Sequence, residues 1–246
     1  MATKLDTATS TVTAIVCLLL CVQATTPTPS GHFHVQSQQR CRFKETSVGV
    51  KVSCTNLHLT SIPRNLPNNT ISLDLSFNNI TLQRNDSFSG LPTLEILNLQ
   101  WNNIAIIRKK IFWPLASLRT LILSENVIEY LEPGIFLYNP HLTKQLNVTG
   151  NFLKVVSPQS FAGMNSIRTL LLAKNFIEEV LGAAWTIPTL QTLDLSHNLL
   201  DTLKSRRFTG LSNLQVLNIS FNLLTMFTLQ SVYGLSNLQK LYATNE

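Results

Sequence analysis

Residues able to do chemistry are few and dispersed in this chain. Of its five histidines, His32 and His34 stand two apart near the start, while His58, His141 and His197 fall in separate stretches. Two imidazoles that close could ligate a metal, but their segment supplies no third ligand of the kind a zinc site needs. Of the four cysteines, Cys17 and Cys21 lie in an apolar run, leaving Cys41 and Cys54 as an even pair. There is no His-Glu-x-x-His, no Gly-x-Ser-x-Gly and no phosphate-cradling glycine loop. The expectation is a protein that is not an enzyme and uses no cofactor or metal.

What the side chains can do is carry sugars and contact partners. Asn68, Asn79, Asn85, Asn147 and Asn218 each head Asn-x-Ser/Thr without proline between, the acceptor pattern for N-glycosylation. Arg119, Lys144 and Arg168 recur at nearly constant spacing and form a short basic strip wherever that spacing is structural. Arg108-Lys109-Lys110 and Lys204 with Arg206-Arg207 make two further basic clusters. Such patches can hold a polyanion such as RNA through phosphate contacts, or can be solvated charge with no ligand. Lys174 and His197 complete the set of candidate ligand contacts, and an imidazole exposed at position 197 could make binding acid-sensitive.

The elements that position these residues follow from a ladder of seven asparagines: Asn78, Asn102, Asn126, Asn151, Asn175, Asn198 and Asn222. They are spaced 24, 24, 25, 24, 23 and 24 apart. Around them the text follows L-x-x-L-x-L-x-x-N-x-[LI], as in Leu94-Glu-Ile-Leu97-Asn-Leu99-Gln-Trp-Asn102-Asn-Ile104. Self-similarity at this period is the signature of a leucine-rich repeat solenoid, which grows as a stack in which each unit packs on its neighbours. The expected fold class is an α/β-type leucine-rich repeat solenoid, a partial horseshoe. Short parallel strands line its concave face, an irregular or 3-10 convex side backs them, and a disulfide closes its N-terminal cap.

Within a unit, residues such as Leu73, Leu75 and Ile80 face inward, and strands of successive units align about 4.8 Å apart. The asparagine follows the strand, where its amide can satisfy backbone groups that the turn would otherwise bury unpaired. Counting the first leucine as position 1, position 19 holds Phe88, Phe112, Phe136, Phe161, Trp185 and Phe208. Position 14 holds Ile107, Leu131, Val156, Val180, Leu203 and Phe227. Both columns read as core. The fourth unit, His141-Leu-Thr-Lys-Gln-Leu146-Asn-Val148, carries one extra residue, for which a local bulge is expected.

Residues 1–24, with Lys4, the apolar run Val12 to Val22 and Val22-Gln23-Ala24, read as a secretory signal peptide, with a signal anchor as the alternative. Residues 25–40 form a flexible leader, 41–69 the cap and 70–246 the repeats, seven complete and an eighth truncated. Export to an oxidising compartment makes Cys41–Cys54 most simply one disulfide. Apolar residues make up 44% and charged residues 13%, a balance that excludes a disordered chain. Loss of the signal leaves the net charge at +6, basic enough to permit an anionic partner without requiring one.

The cap phrase Cys54-Thr-Asn-Leu-His-Leu-Thr-Ser-Ile-Pro63-Arg-Asn-Leu-Pro67, followed by Leu73-Asp-Leu-Ser-Phe-Asn78, resembles the N-terminal ectodomain of Toll-like receptors. The resemblance covers about residues 41 to 246. It implies an innate-immune pattern-recognition receptor of the secretory pathway, exposed to the extracellular space or an endosomal lumen. Such a portion would bind a microbial ligand, nucleic acid among the options, or pair with a partner receptor chain. A complete receptor of that kind would continue with more repeats, a C-terminal cap, one membrane helix and a signalling domain. The chain stops at an eighth strand with no such cover, which points to a fragment or a truncated soluble form. The alternative reading is a secreted matrix or adhesion protein that binds other proteins.

Overall fold

A computed structural model describes residues 40–82, 87–181, 185, 187–203, 206–226 and 228–244. The signal peptide, the leader up to residue 39, His32, His34, Asn85, Lys204 and Phe227 lie outside the described residues. The first elements are β1 (Arg42–Thr46) and β2 (Gly49–Ser53), an antiparallel hairpin. After them come β3 (Thr70–Asp74), β4 (Ile96–Asn98), β5 (Thr120–Ile122) and β6 (Gln145–Asn147). The short β7 (Val155–Val156) precedes β8 (Thr169–Leu171), and β9 (Glu179–Val180) precedes β10 (Thr192–Asp194), β11 (Val216–Asn218) and β12 (Lys240–Tyr242). Ten strands form one sheet in the order β1-β2-β3-β4-β5-β6-β8-β10-β11-β12, parallel from β2 onward, while β7 and β9 pair separately. Among the described residues the only helical segments are two 3-10 turns, Pro158–Phe161 and Leu229–Val232.

The leucines are inward as the period requires: Leu73, Leu97, Leu121, Leu146, Leu170, Leu193 and Leu217 are fully buried at the middle of successive strands. At position 19 Phe88, Phe112, Phe136, Phe161, Trp185 and Phe208 are buried, and neighbouring rings touch, as in Phe88–Phe112 at 5.8 Å and Phe161–Trp185 at 5.7 Å. The Trp185 indole N–H donates to the Arg207 carbonyl at 2.9 Å, which lets an indole sit in a phenylalanine column. At position 14 Ile107, Leu131, Val156, Val180 and Leu203 are buried.

Each ladder asparagine clamps two units together. Asn126 accepts from the Ile104 N–H at 3.0 Å and donates to the carbonyls of Leu99, Leu123 and Ser124. Asn102, Asn151, Asn175, Asn198 and Asn222 accept from Ile80, Ile128, Leu153, Ile177 and Leu200 in the same way, all five buried. Asn78 is half-buried and serves the cap, accepting from the Leu57 and Leu59 N–H groups and donating to the Cys54 carbonyl. Cys41 and Cys54 are joined, with an S–S length of 2.03 Å. The hairpin they close is present, but Phe43 and Val48 stand out of it into solvent while Val50 and Val52 face the core.

The bulge expected in the fourth unit is not there. Gln145–Asn147 pairs residue for residue with β5 on one side and β8 on the other. Leu142 is buried, and its N–H donates to the Asn139 carbonyl, so the extra residue is absorbed in the loop before the strand. Among the described residues, the sheet's one register shift lies at Val50/Lys51.

A second polar device varies between units. Where position 5 is aspartate, its Oδ1 accepts both the N–H and the hydroxyl of the serine at position 7, as in Asp74–Ser76 and Asp194–Ser196. The third unit has Ile122 at position 5, and Ser124 Oγ is buried with no partner among the described residues. The fifth unit pairs Leu171 with Ala173, which removes the hydroxyl and the need for a partner.

Candidate recognition surfaces

The basic strip is a real column. The residues just before the strands are tied through the backbone: Arg119 N–H to the Glu95 carbonyl at 2.8 Å, Lys144 N–H to Arg119 at 2.9 Å, and Thr169 N–H to Lys144 at 3.1 Å. This fixes Glu95, Arg119, Lys144 and Arg168 one strand apart. The Arg119 guanidinium lies 3.6 Å from the Glu95 carboxylate at the edge of a depression of about 390 Å³ that His141 also lines. Both side chains are about half exposed, so the pair contributes little to stability but partly neutralises the strip. Lys144 and Arg168 carry its remaining charge, and the column continues as neutral Gln191, Gln215 and Gln239.

Lys174 and His197 do not join that strip. They sit at position 8, beyond the other end of the strand, in a column with Phe77, Trp101, Glu125, Gly150 and Phe221. Every one of these residues has a positive φ, from 53° to 67°. The left-handed turn aims each side chain outward, and the column includes two aromatic contacts. Phe77 stacks on Trp101 at 6.1 Å, and the His197 imidazole stacks on Phe221 at 4.3 Å.

Beside it runs a surface that the charged residues gave no hint of. At position 10, Val127, Phe152, Phe176, Leu199 and Leu223 succeed one another over five units. Phe152 is 46% exposed and Phe176 45%, and their rings stack at 5.5 Å. The spacing is rigid: the Val127, Phe152, Phe176, Leu199 and Leu223 N–H groups donate to Ile104, Ile128, Leu153, Ile177 and Leu200 of the preceding unit. Glu129, Lys154, Glu178 and Asp201 border the apolar line with mixed charge. The first two units have Asn79 and Asn103 at this position instead, in mutual side-chain contact. The signal was in the sequence: a surface turn position that is polar twice and then apolar five times in succession.

Of the acceptor asparagines, Asn147 and Asn218 lie on β6 and β11 within the sheet, and each turns Oδ1 onto a backbone N–H two residues on, Thr149 and Ser220 respectively. An N-glycosidic bond forms at Nδ2 and would leave that acceptor in place. Asn68 and Asn79 are exposed near the cap. Among the described residues, no group of three or more His, Cys, Asp or Glu could hold a metal ion. Among them, too, no helix is long and apolar enough to cross a membrane.

Parallel strands one per turn, a clamping asparagine after each and variable side chains on the strand edge define a solenoid repeat protein. The chain belongs to the leucine-rich repeat family, whose model matches residues 68–128, 117–177 and 188–246. It is similar to Biglycan of Xenopus laevis, 52% identical over 46 residues, 19% of this chain and 12% of that protein. Leucine-rich repeat-containing protein 3B of Homo sapiens is 35% identical over 85 residues, 35% of this chain and 29% of that protein. Leucine-rich repeat-containing protein 3 of Danio rerio is 40% identical over 58 residues, 24% of this chain and 22% of that protein. The chain thus spans less than a third of the length of these curated relatives.

Proposed function

We propose that this chain is a non-enzymatic recognition module of the secretory pathway that binds another protein along the position-10 rim. The observation that carries it is the apolar line of exposed Val127, Phe152, Phe176 and Leu223 with half-buried Leu199, held at fixed spacing by the backbone and bordered by charge. A contiguous apolar surface with a polar border is the composition of a protein interface, and isolated surface aromatics do not make one. Sugars on Asn147 and Asn218 would crowd the strand face and leave the rim as the open approach. The Cys41–Cys54 disulfide fits an oxidising compartment.

The finer reading is a pattern-recognition receptor ectodomain of innate immunity, in which the rim meets a microbial ligand or a second receptor chain. The two-cysteine cap and its phrase into the first repeat support it. The similarity to Biglycan supports the second reading, a secreted matrix or adhesion protein. A photo-crosslinking residue in place of Phe152 or Phe176 should capture a protein adduct on cells, and one in place of Lys144 should not. Capture at Lys144 alone would move the site to the strand face and refute the rim. A full-length transcript encoding a membrane helix and a signalling domain supports the receptor; a four-cysteine C-terminal cap followed by a stop codon supports the matrix protein.

A further inference from the structure

A different surface, between the second and third units, is built for a ligand of another kind. Arg108, Lys109 and Lys110 are consecutive and exposed, and Trp113, three residues on, is 60% exposed. Between them Ile111 and Phe112 are buried, which pins the segment to the core. Tyr138 of the next unit stands beside the indole, ring centres 6.2 Å apart and planes tilted by 52°. The Lys110 ammonium lies 5.9 Å from the Trp113 ring centre and 5.5 Å from that of Tyr138, at the outer limit of cation–π contact. Its three donors are therefore only loosely held by the rings. Lys109 reaches Glu132 at 3.7 Å, whereas no carboxylate lies within ion-pair distance of Arg108 or Lys110 among the described residues.

Two features show that this arrangement is held in place. Asn139, buried and outside the repeat ladder, donates from Nδ2 to the Phe112 carbonyl at 2.8 Å, tying the loop that carries Tyr138 to the loop that carries Trp113. Lys110 also has φ 68°, a conformation for which the next unit uses Gly134, φ 70°, at the same position. A lysine kept where glycine is the unstrained choice points to a use for its side chain.

We propose that Trp113, Tyr138, Lys110 and Arg108 form a binding site for a sulfated polysaccharide. The apolar faces of sugar rings would lie on the indole and phenol, while sulfate groups take the ammonium and guanidinium. The ring tilt favours sugars over bases: linked pyranoses turn relative to one another, whereas successive stacked bases lie parallel and suit parallel platforms. The site is separate from the position-10 rim and does not depend on how the rim is used.

Immobilised heparin is the probe, read by surface plasmon resonance with the full chain. Binding is expected to heparin and not to fully desulfated heparin. Trp113→Ala and Lys110→Ala should each weaken it roughly three- to tenfold. Trp113→Phe should retain most of the affinity, and Lys44→Ala, which removes an equal charge from exposed β1, should leave it unchanged. All these side chains are exposed, so an unchanged unfolding midpoint confirms that each variant is folded. The proposal is overturned if Trp113→Ala binds as the parent does, if Lys44→Ala weakens binding as much as Lys110→Ala, or if single-stranded RNA of matched charge displaces heparin more effectively than heparin itself.

Discussion

The asparagine column and the column one residue before it occupy adjacent positions of the same turn, but they obey different rules. At position 9 the side chain is always asparagine, and six of the seven are buried. At position 8 it is Phe, Trp, Glu, Gly, Lys, His or Phe, mostly exposed and always left-handed. The first column answers buried backbone groups that only an amide of that length can reach, donor and acceptor together. The second has a conformational cost but no chemical demand, so any side chain able to bear the left-handed turn can stand there. Burial with unmet hydrogen bonds fixes residue type, whereas exposed strain leaves it open for recognition.

The contrast can be broken in several places. Asn126→Ala would orphan the Ile104 N–H and take one of two donors from each of the carbonyls of Leu99, Leu123 and Ser124, which keep Asn102 Nδ2, Asn151 Nδ2 and the Trp101 N–H, and should cost about 3–5 kcal/mol in urea unfolding. Asn126→Asp restores only the acceptor; if it proves as stable as the parent, the donors are not what the column supplies. Two phenylalanines test core against rim. Phe136→Ala, fully buried, should cost about 3–5 kcal/mol, whereas Phe152→Ala should stay within about 0.5 kcal/mol by the same measurement and act instead on partner binding. Ser124→Ala should be neutral or stabilising by up to about 1 kcal/mol, while Ser196→Ala, which loses a made bond to Asp194, should cost about 1 kcal/mol. Smallest of all, Lys174→Gly should raise stability by at most about 1 kcal/mol by relieving the left-handed residue, the gain being reduced by glycine's greater unfolded-state entropy. A loss there would mean that the side chain packs rather than waits for a ligand.

The repeat period made the core legible in the sequence, because Leu, Phe and Asn recur where the stack leaves no alternative. The aromatic column and the disulfide-closed cap could be read before any coordinates. The fourth unit could not: an inserted residue is equally compatible with a bulged strand or a longer loop, and Leu142 settles it by dropping into the core. Asn139 was hidden because its clamp lies outside the repeated frame, and only the approach of the Phe112 carbonyl reveals it. The surface columns were hard to read for another reason. Charge draws the eye to Arg119, Lys144, Arg168, Lys174 and His197, yet these divide between two columns at opposite ends of the strand. The rim was legible only by reading down position 10 rather than along the chain.

The same neighbour-to-neighbour bonding has a mechanical consequence. From Leu75 N–H onto the Asn98 carbonyl to Ile219 N–H onto the Tyr242 carbonyl, position 6 of each unit donates to the unit that follows. Tension applied to the two ends would load these bonds in series, so the stack should yield rung by rung rather than all at once. Each rung of 24 residues would release about 80 Å of chain, so a single-molecule pulling trace should show a sawtooth of nearly even teeth. Clamped by a disulfide at one edge, this molecule would behave as a ratcheted tether as well as a binding surface.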